Sequence, residues 1–434
     1  MKKLVILLII FLGLGAFVYF YEIGGEEERK RAQELEESLF RIEQDQIEEI
    51  EIVRPETQST IVLRKEGDTW SIEQPINAPA DQSAVDSLLS RIANAKRDRT
   101  FESEEVDSED EYGLDQPRFE LRVSTSDTER SLSVGSEDFT GSSVYVRLGG
   151  EPQVHLTSDL LVNAVDKEAS DFRSKDVLKF SRSDIDRIEL LQREEKVILE
   201  KREGKWHLLE PVQDRASESA VSSLLSTLET ARAQEFVAEE PEDLSEFGLN
   251  EPDIRVRLRN STDGTWAVLE IGDKREDNYL ARDLQRSPVF TVTNSVYESV
   301  TKDAWNFRNK DVVDVQQDEI ERLRLSQNGK ELVVRREEMK WIIESPEGQS
   351  GQEALAYKFW YPIDDIQFET LSEDAVSFDS EIVVAITLKD GTEKRFEFGK
   401  RGNEFWAHDV DSGRKGQISA EDYEGLQLNP EEIT

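Results

Sequence analysis

The chain has no cysteine in 434 residues. That excludes disulfides, a thiolate nucleophile, cysteine-based zinc sites and the lipidated cysteine of a lipoprotein. Histidine is nearly absent too: His155, His207 and His408 lie far apart, at no spacing that suits a metal or a catalytic triad. His207 follows Trp206 in an expected strand and reads as its outward-facing neighbour. Nucleophile elbows, phosphate-cradling glycine loops and paired-histidine metalloprotease motifs are likewise missing. Basic residues are scarce beside acidic ones, 54 against 94, giving a formal charge of −40. Such a surface repels phosphate backbones and disfavours nucleic acid as a partner. It suits a solvated exterior, with a basic partner or divalent cations as the sharper alternative.

Hydrophobic residues, 37% of the chain, recur along its whole length, so the chain can build cores and is not a disordered acidic tail. Its length suits two to four domains. Acidic residues are numerous enough for neighbours such as Glu104-Glu105 and Asp364-Asp365 to arise by chance, and neither pair marks an acid/base dyad. The stretch from Asp411 to Ile418 partly matches a calcium loop. Its third and fifth ligand positions are Gly413 and Lys415, however, so it reads as a hairpin turn.

One long apolar run exists. Leu4 to Phe20 follows Lys2-Lys3 and, at 1.5 Å per residue, spans about 25 Å, enough to cross a bilayer core as a helix. Apolar residues continue past Ala16, which favours a retained signal-anchor over a cleaved signal peptide. The short lysine-bearing tail places the N-terminus in the cytoplasm and the bulk outside. Residues 1–25 are thus expected to anchor the chain as a single transmembrane pass. Residues 26–45 are expected to form an acidic juxtamembrane helix or linker, either a spacer or a contact with a membrane partner.

The rest repeats. Ile47, Ile185 and Ile320 open near-identical strands. Each is followed by an apolar alternation, then by Trp70, Trp206 or Trp341, spaced 136 and 135 residues apart, and five residues later by Pro75, Pro211 or Pro346. An amphipathic helix is expected over Asp81–Lys96, with Val85, Leu88, Leu89 and Ile92 on one face, and its counterpart carries Val221, Leu224, Leu225 and Leu228. Next come Tyr112-Gly113-Leu114 with Pro117 and Phe247-Gly248-Leu249 with Pro252, where the glycine is expected at positive φ after a short helix. Phe172-Arg173 and Phe307-Arg308 open a closing element, expected to dock one module on the next or to face a partner. The third copy keeps Trp341 and Pro346, has only Phe378 in place of the Gly-Leu element, and lacks the closing element. The tryptophans read as core residues, with ligand stacking as the alternative. The expected modules are 46–180, 181–316 and a degenerate 317–434. The fold class is α+β: one N-terminal transmembrane helix, then tandem modules of antiparallel strands packed with amphipathic helices, two full and one degenerate.

Taken together, the anchor, the Ile-x-x-Ile strand, the Trp-to-Pro spacing, the Gly-Leu element and the closing Phe-Arg-x-Lys-Asp resemble a family of bacterial membrane-anchored repeat proteins of uncharacterised role. Members of that family are commonly encoded beside ABC transporters of the gliding-motility or drug-export type. The resemblance implies a cell-envelope location on the inner or plasma membrane and an ABC permease and ATPase as partners. It supplies no catalytic, cofactor-binding or metal residues. The expected function is a non-catalytic extracytoplasmic accessory subunit. The alternatives are a free-standing cell-envelope scaffold or ligand- or peptide-binding protein and, least favoured, a carboxylate hydrolase.

Overall fold

A computed structural model describes residues 35–106, 108–193, 195–372, 376–427 and 433. The expected anchor at residues 1–25 lies outside them, as does 26–34 of the expected linker. Among the described residues no helix is long and apolar enough to cross a membrane.

The first module is one antiparallel sheet. β1 (Glu49–Arg54), β2 (Ser59–Glu66), β3 (Thr69–Gln74) and the two-residue β4 (Ala78–Pro79) form a meander. Then α1 (Gln82–Ala93) leads to β5 (Arg99–Phe101), and β6 (Phe119–Ser124), β7 (Glu129–Glu137), β8 (Ser143–Leu148) and β9 (Val154–Ser158) complete the sheet in the order 4-3-2-1-6-7-8-9-5. β4 and β5 are opposite edges, so α1 carries the chain from one edge to the other. It begins at an Asp81 cap that accepts from Ala84 N at 3.1 Å, and it buries Val85, Leu88, Leu89 and Ile92 as its periodicity predicts. The short α2 (Leu160–Val165) and α3 (Ala169–Phe172) follow.

The second module repeats this order with β10 (Ile185–Gln192), β11 (Lys196–Arg202), β12 (Lys205–Glu210), β13 (Asp214–Arg215), α4 (Glu218–Thr230), β14 (Phe236–Ala238), β15 (Ile254–Asn260), β16 (Trp266–Arg275), β17 (Asn278–Asp283), β18 (Val289–Thr293), α5 (Asn294–Val300) and α6 (Ala304–Phe307). The third repeats it again with β19 (Ile320–Gln327), β20 (Lys330–Glu337), β21 (Lys340–Ser345), β22 (Glu353–Ala354), α7 (Tyr361–Asp364), β23 (Thr370–Leu371), β24 (Asp379–Leu388), β25 (Glu393–Arg401), β26 (Glu404–Asp409), β27 (Lys415–Ile418) and α8 (Ala420–Gly425). The degenerate third copy still has a complete sheet, with all nine strands in the same order, and departs from the others in its helices. Strands dominate throughout, and helices are fewer and shorter than the α+β expectation implied. The chain divides into two compact units at Asp176/Val177, the second unit holding the second and third sheets.

Each sheet has two unlike faces because strand residues alternate. In β1, Ile50 and Ile52 point to the helices, while Glu49 and Glu51 point away and pair across strands with Arg64 at 2.6 Å and Arg122 at 2.9 Å. The second sheet extends this into a ladder: Arg187 meets Glu200 at 3.1 Å, Arg257 meets Glu189 at 2.6 Å, and the fully buried Glu270 is held by Arg282 at 2.7 Å and by Arg255. Each pair is in direct cross-strand register. Much of the chain's high charge thus covers sheet faces that carry no helix.

Candidate interaction site: the strap of each module

Ahead of each first strand runs a segment that sequence reasoning read as linker in one place and as closing element in the others. Leu39, Phe40 and Ile42 enter the first core; Val177 and Leu178 enter the second; Val312, Val313 and Val315 enter the third. The backbone docks in the same way each time, on the residue just past the helix region: Leu39 N donates to Ala95 O at 2.6 Å, Val177 N to Ala231 O at 3.3 Å, and Val312 N to Ile366 O at 3.0 Å. We call this segment the strap. From Ser38 onward, the expected juxtamembrane spacer is the strap of the first module.

An arginine clamps each strap by donating to its carbonyls, and the sequence did not single out these residues. Arg97 reaches Leu39 O at 3.3 Å, and Arg286 reaches Val177 O at 2.7 Å. Arg414 reaches Asp311 O at 3.2 Å and also Asn309 O. A second polar latch ties the end of each first strand to the region beyond the later helix. Arg54 donates to Val165 O at 3.2 Å, Gln192 to Lys302 O at 3.4 Å, and Gln327 to Gln427 Oε1 at 2.6 Å.

The closing phenylalanines end a module before the chain enters the next strap. Phe172 and Phe307 are fully buried in the first and second cores, and their carbonyls accept from Asp81 N at 2.7 Å and Ser217 N at 2.8 Å. The third module has an equivalent that the sequence hid. Ile433 is buried in the third core, and its carbonyl accepts from Leu355 N at 2.9 Å. The expectation that this copy lacks a closing contact is thereby corrected.

The other signature residues fall into place. Trp70, Trp206 and Trp341 are buried core residues on β3, β12 and β21. Pro75, Pro211 and Pro346 follow cis peptide bonds just past those strands. Gly113 and Gly248 adopt φ of 66° and 67° at the ends of short 3-10 turns, and Pro117 and Pro252 stand half-buried ahead of β6 and β15. The preceding carbonyl presses on a second glycine that the sequence reading overlooked: a Cβ on Gly135 would lie 2.1 Å from Tyr112 O, and one on Gly272 would lie 2.3 Å from Phe247 O. In the third module a Cβ on Gly399 would lie 1.9 Å from Asp379 O and 2.9 Å from the ring of Phe378, so Phe378 does stand where the missing element would be. The signal was available as Val134-Gly135, Ile271-Gly272 and Phe398-Gly399, each closing an apolar alternation.

Within the second unit, charges collect where β13 meets the hairpin between β26 and β27. Asp214 accepts from Arg308 Nε at 2.7 Å and lies 3.2 Å from Arg414 Nε, while Arg215 pairs with Asp314 at 2.6 Å and lies 3.5 Å from Asp409. Burial holds the Arg414 pKa below the usual guanidinium value, offset in part by Asp214. A cleft of about 330 Å³ opens beside this cluster, lined by His207, Gln213 and Ser412 among others. A smaller cleft of about 240 Å³ gathers Asp311, Asp314, Asp364 and Asp365, where burial and the neighbouring Asp365 and Asp311 push the Asp364 carboxyl up.

The histidines stay apart. His155 is buried, Nδ1 2.9 Å from Thr100 Oγ1, its pKa lowered by burial and by Arg97. His408 lies 3.7 Å from Glu397, its pKa lowered by burial and by Lys415. The segment resembling a calcium loop is the hairpin between β26 and β27, where Asp409 accepts from Ser412 N at 3.2 Å and Gly413 has φ 75°. Among the described residues no group of three or more acidic or histidine side chains is placed to hold a metal ion.

A cleft of about 820 Å³ belongs to the first module. It lies between the strap (Ile42, Glu43, Gln44, Asp45), the hairpin of β2 and β3 (Lys65, Asp68, Trp70) and α1 (Gln82, Asp86, Leu89, Ala93).

Strap, meander, crossover helix and glycine-pinned second half define a tandem-repeat protein of nine-stranded antiparallel sheets, each closed by the chain that leads into it. The chain belongs to the family described as Domain of unknown function (DUF4340), whose model matches twice, over residues 70–213 and 206–396. No curated protein and no solved structure shows significant similarity to it.

Proposed function

We propose that the chain is a non-catalytic scaffold, tethered to the membrane by Leu4–Phe20 with its modules outside the cytoplasm, that serves as an accessory subunit of an ABC-type transporter. The observation that carries the scaffold reading is the threading of the array. In the second unit, residues 307–315 leave the second core and immediately build the third, clamped by Arg414 and by Asp214, so that two sheets form one compact unit. Buried polar groups here are spent on straps, latches and cross-strand pairs, which is what a spacer or platform requires. The transporter as partner rests on resemblance to membrane-anchored repeat proteins encoded beside such transporters.

The test is affinity purification of the full-length protein from its native membrane in mild detergent. An ABC permease and ATPase recovered in fixed proportion support the reading. Recovery of the protein alone from well-solubilised membranes removes the transporter and leaves a free-standing scaffold.

A further inference from the structure

The three modules treat the space between strap and helix differently. In the second module Arg182, which opens the 3-10 turn of the strap, reaches across to α4: its Nε lies 2.6 Å from Glu229 Oε2, and its backbone N donates to Oε1 at 3.0 Å. In the third, α7 replaces the long helix, and Phe359 and Trp360 pack on Trp341 at 5.3 and 6.2 Å between ring centroids. In the first module the residues equivalent to Arg182 and Glu229 are Gln44, which opens the matching turn, and Ala93, which follows the matching Ile92. Neither can form that bridge, and the 820 Å³ cleft lies there.

Its chemistry is specific. Ile42, Leu89 and Ala93 give it an apolar floor, while Glu43, Asp45, Asp68 and Asp86 stand on its rim, all four exposed. None of these four carboxylates has a cationic partner among the described residues, and of the two lining lysines Lys96 is already paired with Glu37 at 3.2 Å. We propose that this groove docks a basic, extended segment of a partner protein, whose arginine or lysine pairs with the rim carboxylates and whose neighbouring aliphatic residue packs on the half-buried Leu35 and Ala93. The acidic rim attracts the segment and the floor holds it. This deepens the scaffold reading, and rests on it only in taking the occupant to be a protein.

The experiment uses the full-length chain in detergent and a fluorescein-labelled peptide of alternating leucine and arginine, with the leucine–glutamate peptide as control, followed by fluorescence anisotropy. Saturable binding of the basic peptide alone is expected. The double variant Gln44→Arg/Ala93→Glu installs the second module's lock without changing net charge, and it should weaken binding about tenfold or more. Should the lock variant lose its cooperative melt, Asp45→Asn/Asp86→Asn carries the test through the rim, with Glu240→Gln/Glu246→Gln, exposed acids of the second module, as the equal-charge control that should leave binding unchanged. No saturable binding, or binding unchanged in a folded lock variant, overturns the proposal, since attraction to the diffuse acidic surface would survive the lock. Peptide binding without a co-purifying transporter would leave the groove standing and remove only the transporter.

Discussion

The first and third modules share one strand order yet solve the same packing problem with different chemistry. In the first, a twelve-residue amphipathic helix covers the sheet, and a phenylalanine, Phe172, closes the module. In the third, the helix shrinks to Tyr361–Asp364, two aromatic side chains fill the space beside Trp341, and Ile433 takes the closing position. The sheet is therefore the invariant and its covering is negotiable. What the covering must supply is apolar volume against the inner face, and a helix stripe or a pair of rings does that equally well. The strap does not vary, because it satisfies backbone groups at a fixed place as well as adding volume.

The sharpest way to break this comparison is to cut the chain in two registers. Residues 35–176 contain a strap, a complete sheet and the closing Phe172. Residues 70–213, the first family match, discard the strap, β1 and β2 and end before the second module's helix. The first fragment should show a cooperative thermal melt by circular dichroism, and the second should show none. A cooperative melt of 70–213 would mean that the folding unit follows the sequence repeat and not the sheet.

Closing residues come next. Phe172→Ala and Phe307→Ala should each destabilise their unit by about 3–5 kcal/mol, the usual range for a fully buried aromatic, with denaturant midpoints as the measurement. The equality of the two is the informative part. A much smaller loss for Phe307 would show that the clamp on the following strap compensates, which the separate cores do not suggest.

The repeat itself was legible because tryptophan and cis-proline recur with their identities intact. The strap was not, because only apolarity survives across Leu39-Phe40, Val177-Leu178 and Val312-Val313, and each stretch sits among charged residues that disguise it. The arginine clamp was hidden for a further reason. Arg97 approaches from the far end of a helix, whereas Arg286 and Arg414 come from a hairpin, so equal contacts arise from unequal positions in the chain. Completeness of the third sheet was invisible because its substitutes, Phe378 and Ile433, are equivalent only in the space they fill. The groove of the first module could be seen only once Gln44 and Ala93 were aligned in space with Arg182 and Glu229.

The buried glycines offer a finer test, since the same backbone contact recurs in the first two modules. Gly135→Ala and Gly272→Ala place a methyl against a carbonyl at 2.1 and 2.3 Å and should each lower stability by about 1–3 kcal/mol. Gly204→Ala, with open space around it and φ of 83°, isolates the backbone contribution alone, at roughly 1–2 kcal/mol. Denaturation midpoints that rank Gly272→Ala no lower than Gly204→Ala would show that the strand bends freely at the pinned site.

The smallest expected effect belongs to the third module's acidic cleft and has a definite sign. Burial, Asp365 and Asp311 raise the Asp364 carboxyl in the folded state. An acid raised on folding binds its proton more tightly in the native chain, so native stability declines as pH rises from the unfolded value, about 3.9, through the folded one. Above that window the native state keeps a charge that the unfolded state holds more easily. Asp364→Asn removes that charge and should raise the melting temperature at pH 7 by roughly 1–2 °C, with the gain gone below about pH 3.9. The first module, which lacks this cleft, gives the contrast. If the neutral-pH gain fails to appear, the folded chain does not hold the Asp364 carboxyl above its ordinary range, and the charge at this cleft costs the native state nothing.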